Sequence, residues 1–222
     1  MYIIIAGGDI VGKSITKALV KHHDVVVIDN DYANCEKIAS SYGAVALQGD
    51  ATNINTLKEA GIEKCDYAIG VMGKDSQNLL FSLLCSNFAV KNIFVYMRDP
   101  DYRTAYTLAG ATNIGNPSQM MVDKFALDIE NPDIRRVVSL SNGKAEVSII
   151  TLRENSKAVG QKVVDLVKGK NCPPDVVIAG MFDAEKDIFI VPRGNTVIEP
   201  KNQLFVVGSR GSIEALYKYL IK

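Results

Sequence analysis

From Tyr2 to Gly115 short apolar runs alternate with segments of helical periodicity, and this alternation constrains the fold more than any other feature. The runs Tyr2–Ala6, Val25–Ile28, Ala44–Leu47, Tyr67–Met72 and Ile93–Met97, with a weaker one at Ala111–Gly115, have the length and composition of strands. Between them Val11–His22, Ala33–Tyr42, Ile54–Ala60, Ser76–Ala89 and Tyr102–Ala109 carry apolar residues at helical spacing; Leu79, Leu80, Leu83 and Leu84 form the plainest stripe. Strand and helix repeated in this way predict a doubly wound parallel sheet, covered by helices on both faces and joined by right-handed crossovers.

Pro117 opens one more helical stretch, Ser118 to Glu130, with Met121, Val122, Phe125 and Ile129 on one side, and Asn131-Pro132 stops it. Beyond it the pattern changes. Arg136–Leu140 and Ala145–Leu152 read as strands joined by a hairpin turn at Ser141-Asn142-Gly143-Lys144, since Asn and Gly tolerate positive φ. Val159–Val167 reads as a helix, Val176–Phe182, Asp187–Val191 and Gln203–Val207 as strands, and Ser212–Ile221 as a last helix. The expected organisation is a Rossmann-like α/β domain over 1–132, ending in a crossover helix at 117–131, and a small α+β domain over 133–222.

Composition excludes several classes. The 222 residues are 47% hydrophobic and 23% charged, the balance of an ordinary globular protein rather than a disordered one. Lys+Arg and Asp+Glu number 25 each, so no global attraction to nucleic acid or anionic lipid follows. No apolar stretch reaches the roughly 18 residues of a membrane span. The opening Met1–Ala6 lacks a basic segment and is too short for a signal peptide, so a cytoplasmic protein is expected, touching membrane only through a partner. Cys35, Cys65, Cys85 and Cys172 are widely spaced and have no histidine pair near them, which predicts buried reduced thiols and no metal site.

The first strand runs directly into Gly7-Gly8-Asp9-Ile10-Val11-Gly12. A dinucleotide fold places G-x-G-x-x-G here: one glycine for the tight turn, one for the approach of a pyrophosphate, one for close helix–strand packing. Gly7 and Gly12 fit the first and third roles, and Asp9 occupies the middle position. Asp29, at the end of the second strand, stands where an acidic residue accepts hydrogen bonds from ribose hydroxyls. The Asp9 carboxylate adds bulk and negative charge where a pyrophosphate would lie, although the helix N-terminus still attracts anions. Either Lys13 or a cation neutralises Asp9, or the site takes a ligand with less phosphate such as AMP, or Asp9 merely caps the helix at Val11.

These segments resemble the RCK (KTN) domain family, the TrkA/KtrA-type cytosolic regulatory subunits of potassium channels and transporters. The resemblance rests on Met1–Gly7, on Val27-Ile28-Asp29-Asn30-Asp31, on Gly49-Asp50-Ala51-Thr52 with Leu57–Ile62, and on Lys74-Asp75-Ser76-Gln77-Asn78-Leu79. It continues through Gly110-Ala111-Thr112 to Pro117, and in the second half through Val159-Gly160, Pro192–Thr196 and Leu204–Gly208. The resemblance implies an adenine-nucleotide site (AMP, ADP/ATP or NAD(H)) at the carboxyl ends of the strands. Gly7, Gly8 and Gly12 would form the phosphate turn together with Asp9, Ile10 and Val11; Asp29 would hold the ribose, with Asn30 near the adenine. Asp50, Ala51 and Thr52 would line the adenine edge, Met72, Gly73 and Lys74 the far side, and Arg98 would face the phosphates. For Arg98 the competing reading is a surface ion pair with Asp99 or Asp101, and for Asp50 a strand-end cap.

The resemblance also implies a mechanical role. Such subunits dimerise through the crossover helix, alone or with a related RCK subunit, and build a ring beneath a membrane potassium channel or transporter, which reads nucleotide-driven changes in ring shape. A catalytic reading has little to stand on. Residues 133–222 contain no histidine and no clustered cysteine, the chain has no G-x-S-x-G, and no Y-x-x-x-K lies on the last helix. The alternatives are an NAD(P)-dependent oxidoreductase and a nucleotide-free scaffold subunit of a mixed ring.

Overall fold

The computed structural model describes residues 1–140 and 144–221, and the turn expected at Ser141-Asn142-Gly143 lies outside them. The chain divides into two compact units, Met1–Met120 and Met121–Lys222, where the sequence pattern places a boundary near Pro132.

The first unit is the doubly wound sheet. Its elements run β1 (Tyr2–Ala6), α1 (Ile10–Leu19), β2 (Asp24–Asp29), α2 (Tyr32–Tyr42), β3 (Val45–Gln48), α3 (Ile54–Glu59), β4 (Tyr67–Gly70), α4 (Asp75–Asn87), β5 (Asn92–Tyr96), α5 (Arg103–Leu108) and β6 (Asn113–Gly115). All strand pairs are parallel, in the order β3-β2-β1-β4-β5-β6. Alternate residues of one strand feed opposite cores. Ile3 and Ile5 join Val25, Val27 and Ile38 of α2 on one face, while Ile4 and Ala6 join Val26, Ile28, Leu57 of α3 and Phe81 of α4 on the other. The order of pairing reverses between β1 and β4, and the crevice outside their carboxyl ends is where open α/β sheets take ligands.

Local chemistry sets the helix limits. Asp31 accepts the Ala33 N–H at the start of α2, and Gly43 ends it in the left-handed conformation at φ +68°. Asn53 caps α3 by accepting from Asn55 N–H. In α4 the leucine stripe divides, for Leu79 and Leu84 are half-buried and pack against the core. Leu80 and Leu83 are exposed, and the buried side is Asp75, Asn78, Phe81, Ser82 and Cys85. Helical spacing alone does not say which of two faces meets the sheet, and here the polar residues Asp75 and Asn78 go inward because backbone groups at the strand ends bond them.

The helix α6 (Pro117–Glu130) follows β6 and extends from the first unit into the second. The rest of the second unit is β7 (Ile134–Leu140), β8 (Ala145–Thr151), α7 (Val163–Lys168), β9 (Val177–Asp183), β10 (Ile188–Ile190), β11 (Gln203–Gly208) and α8 (Arg210–Leu220). The strands form an antiparallel sheet in the order β10-β9-β11-β8-β7. Its core joins Ile150, Leu204 and Val206 to Leu166 of α7 and to Ile213, Leu216 and Leu220 of α8. The helix expected from Val159 begins only at Val163, because Gly160 and Gln161 exchange backbone hydrogen bonds with Ile198 and Lys162 is extended.

All four cysteines are free; Cys35, Cys85 and Cys172 are buried and Cys65 is half-buried. Burial raises the Cys65 thiol from 9.0 to about 11. Burial, aided by the neighbouring Asp75 carboxylate, raises the Tyr106 phenol too. A raised acid favours the folded state below its unfolded value, and that contribution is lost as pH climbs through the folded value. For Cys65 the window runs from about 9 to about 11. Urea midpoints are therefore expected to fall across that window in reducing buffer, and less steeply for Cys65→Ala; a flat profile would contradict the assignment.

Candidate functional site

A cleft opens at the carboxyl ends of β1, β2 and β4. Gly7, Asp9, Asp29, Asn30, Ala51, Met72 and Gly73 line it. Ile28, Gly49 and Gln77 line it as well and were not anticipated. The signal for Gly49 is its place at the end of β3 in the G-D-A-T segment, and that for Gln77 its place in the first turn of α4.

The glycine turn is built by close approach. Gly7 has φ +106° and donates its N–H to Ile28 O at 2.9 Å. Gly12, in α1, is packed so tightly that a Cβ would lie 1.9 Å from Gly7 O. A Cβ on Gly8 would stand 2.9 Å from Ile38 Cδ1 and 3.2 Å from the Asp29 carboxylate. The helix N-terminus thus presents its unpaired first-turn amides over the β1 turn.

Asp29 organises the floor of the cleft. Its Oδ2 accepts Gly8 N–H at 2.5 Å, and its Oδ1 accepts Asp31 N–H at 2.8 Å and Asn34 Nδ2 at 3.3 Å. A carboxylate offers about four acceptor positions, so one remains for a hydroxyl of a ligand. Asp9 stands at the N-cap of α1, yet its side chain makes no capping hydrogen bond. Instead Oδ1 of Asp9 accepts from Asn34 Nδ2 at 3.4 Å, and Lys13 Nζ donates to Asn34 Oδ1 at 2.5 Å. Asn34 therefore sits between the carboxylate and the ammonium.

The far wall depends on a buried amide. Asn78 Oδ1 accepts Met72 N–H at 2.9 Å, while its Nδ2 donates to Met72 O at 3.1 Å and Tyr96 O at 3.2 Å. Asp75, also buried, accepts the N–H groups of Arg98 and Asp99 at 3.0 Å each and the Tyr106 hydroxyl at 2.9 Å. Together these two side chains hold the loops that follow β4 and β5.

Other expected residues lie outside the lining. Ile10, Val11 and Gly12 belong to the first turn of α1, and Gly8 faces Asp29. Asp50 accepts from Thr52 N–H and Oγ1 in a turn after β3, so both side chains bond each other. Lys74 is the N-cap of α4 and is exposed. Arg98 is exposed and lies 4.8 Å over the Tyr96 ring rather than against the cleft. Among the described residues no cluster of His, Cys, Asp and Glu has the arrangement of a metal site, and no helix is long and apolar enough to cross a membrane.

The TrkA-N domain family matches residues 3–117 and the TrkA-C domain family residues 147–221. This chain belongs to the TrkA (RCK) family. A Trk system potassium uptake protein TrkA homolog of Archaeoglobus fulgidus is 31% identical to it over 220 residues, covering 97% of this chain and 49% of that protein. The chain thus spans about half the length of that relative. A TrkA homolog of Methanothermobacter thermautotrophicus is 28% identical over 208 residues and matches 93% of each chain. Among solved structures, the GsuK channel bound to NAD shares the fold at a TM-score of 0.66 and 18% identity, over 100% of this chain and 39% of the channel chain.

Proposed function

We propose that this chain is a non-catalytic regulatory subunit of a potassium uptake channel or transporter, and that an adenine nucleotide in the β1–β2–β4 cleft changes the shape of the oligomer the channel reads. The observation that carries the reading is the placement of Asp29, whose carboxylate lines the cleft beside the Gly7–Gly12 turn with an acceptor position open. Family membership supports the potassium-transport context, and the NAD named with the GsuK channel supports a nucleotide as ligand. In thermodynamic terms the nucleotide must bind one arrangement of subunits better than another.

In this reading Asp29 holds the ribose and Asn30 and Ala51 flank the adenine. Gly7 and the α1 amides meet the phosphate, with Met72 and Gly73 closing the other side. Asp29→Ala is expected to weaken AMP binding by about 1.5–3 kcal/mol in calorimetry, the worth of a hydrogen bond to a charged group. Unchanged affinity would remove Asp29 from the site. Mass spectrometry of denatured protein separates the readings further. A co-purified adenine nucleotide supports the sensor, and its absence together with no binding supports a nucleotide-free scaffold of a mixed ring. NADH turnover with any substrate would instead support an oxidoreductase.

Oligomerisation is supported by α6. Met121, Val122, Phe125 and Ile129 are all exposed, Ile129 at 80%, while Leu127 on the opposite side is buried. A stripe of that kind on an otherwise polar helix fits a second copy or a related RCK subunit. Sedimentation at micromolar concentration is expected to show a dimer or larger species, and Phe125→Asp to shift it toward monomer. A monomeric parent protein would contradict the ring.

A further inference from the structure

We propose that Asp9, set by Asn34, makes this cleft selective for an adenine nucleoside or its monophosphate over ligands carrying a pyrophosphate or triphosphate. The proposal rests on the adenine-nucleotide reading of the cleft and narrows its ligand class.

The argument begins with what Asp9 does not do. A helix-capping Asp turns its carboxylate back onto the amides of the first turn. Asp9 leaves them, and its carboxylate lines the cleft instead. That is the position at which the usual fingerprint keeps a bare glycine, so that backbone can approach a pyrophosphate. The carboxylate therefore stands beside the path that a second phosphate would follow.

Its carboxylate is not ion-paired directly with the lysine on its own face of α1. Lys13 is one turn along α1, at the i+4 position that shares a face with Asp9. Yet Lys13 Nζ donates to Asn34 Oδ1 at 2.5 Å, and it is the Asn34 amide, not the ammonium, that reaches Asp9 Oδ1 at 3.4 Å. The same Nδ2 reaches Asp29 Oδ1 at 3.3 Å. Asn34 is a neutral spacer between the two carboxylates and the lysine.

The turn also has one amide fewer to offer. Gly8 N–H is already bonded to Asp29 Oδ2 at 2.5 Å. The first-turn amides of α1 suffice for a single phosphate, whose charge spreads into open solvent. Each further phosphate brings more negative charge toward the Asp9 carboxylate. Asp9 is exposed, which screens the repulsion well below its low-dielectric limit, so a discrimination of about tenfold is expected.

Calorimetry on the full chain with adenosine, AMP, ATP and NADH, each in EDTA and in magnesium, tests this. The parent protein should bind AMP at least about tenfold more tightly than ATP or NADH, with or without magnesium. Asp9→Asn keeps the shape and removes the charge; it should cut the AMP-to-ATP ratio several-fold by tightening ATP and NADH, with adenosine unchanged. Asn34→Ala should act in the same direction by freeing Lys13 to pair with Asp9, and an unchanged ratio there removes Asn34 from the assignment. ATP or NADH binding as tightly as AMP to the parent protein under either condition overturns the proposal while leaving the adenine-nucleotide reading in place, as does a ratio that D9N leaves unchanged. Binding of none of the four ligands to the parent or to D9N overturns both.

Discussion

Gly12→Ala is expected to destabilise the protein by about 3 kcal/mol, the upper range for an overpacked site, and to abolish nucleotide binding in the cleft. Alanine is normally the better helix former by about 1 kcal/mol. At Gly12 the added Cβ would lie 1.9 Å from Gly7 O and 2.9 Å from Gly7 C, and both are backbone atoms that cannot swing aside. Gly7 is itself held at φ +106° and tied to Ile28 O, and Gly12 O accepts the buried Thr16 hydroxyl at 2.8 Å. Relief therefore requires α1 to move away from β1, which opens the turn. The same substitution at Gly211, in the first turn of α8, meets nothing within 4 Å and is expected to leave stability within about 0.5 kcal/mol. Urea unfolding of the two variants beside the parent decides the matter; a Gly12→Ala protein as stable as the parent would contradict the packing.

The parallel sheet was legible because the central strands β1, β2 and β4 are short apolar runs buried on both faces and punctuated at their ends. Asp29 and the glycine turn were legible for a related reason: close backbone approach admits few residue types, so spacing carries the geometry. Arg98 shows where that logic ends. A strand-end arginine is chemically suited to phosphate, but its side chain turns onto Tyr96, and nothing local in the sequence encodes that rotamer. The α4 stripe misleads in a similar way, since Leu80 and Leu83 are as apolar as core residues and yet exposed. What decides the inward face is a pair of polar side chains, and besides Met72 their backbone partners lie far along the chain at Tyr96, Arg98 and Asp99. Long-range hydrogen bonds of this kind leave no periodic trace. The Asn34 bridge between Asp9, Asp29 and Lys13 is hidden for the same reason.

Asn78→Leu is expected to cost about 4 kcal/mol and to loosen the wall formed by Met72 and Gly73. The substitution keeps the number and branching of side-chain heavy atoms and does not lower helix propensity, so neither a cavity nor a helix defect enters the comparison. What changes is polar pairing. Asn78 is fully buried, and its amide satisfies Met72 N–H, Met72 O and Tyr96 O. Leucine leaves all three groups without that partner, and each buried unsatisfied group costs about 1–3 kcal/mol. Part of that is recovered as Met72 shifts toward solvent, which is available because Met72 is only half-buried and Gly73 is exposed. That shift is the functional consequence, for it moves two lining residues of the cleft while leaving Asp29 in place. Gly73→Ala supplies the contrast. It adds a methyl group at the same wall with nothing within 4 Å, so stability should stay within about 0.5 kcal/mol. Urea unfolding paired with AMP titration should therefore find Asn78→Leu losing both stability and affinity. Full retention of stability in Asn78→Leu would mean that the Asn78 amide does not hold the β4 and β5 loops together.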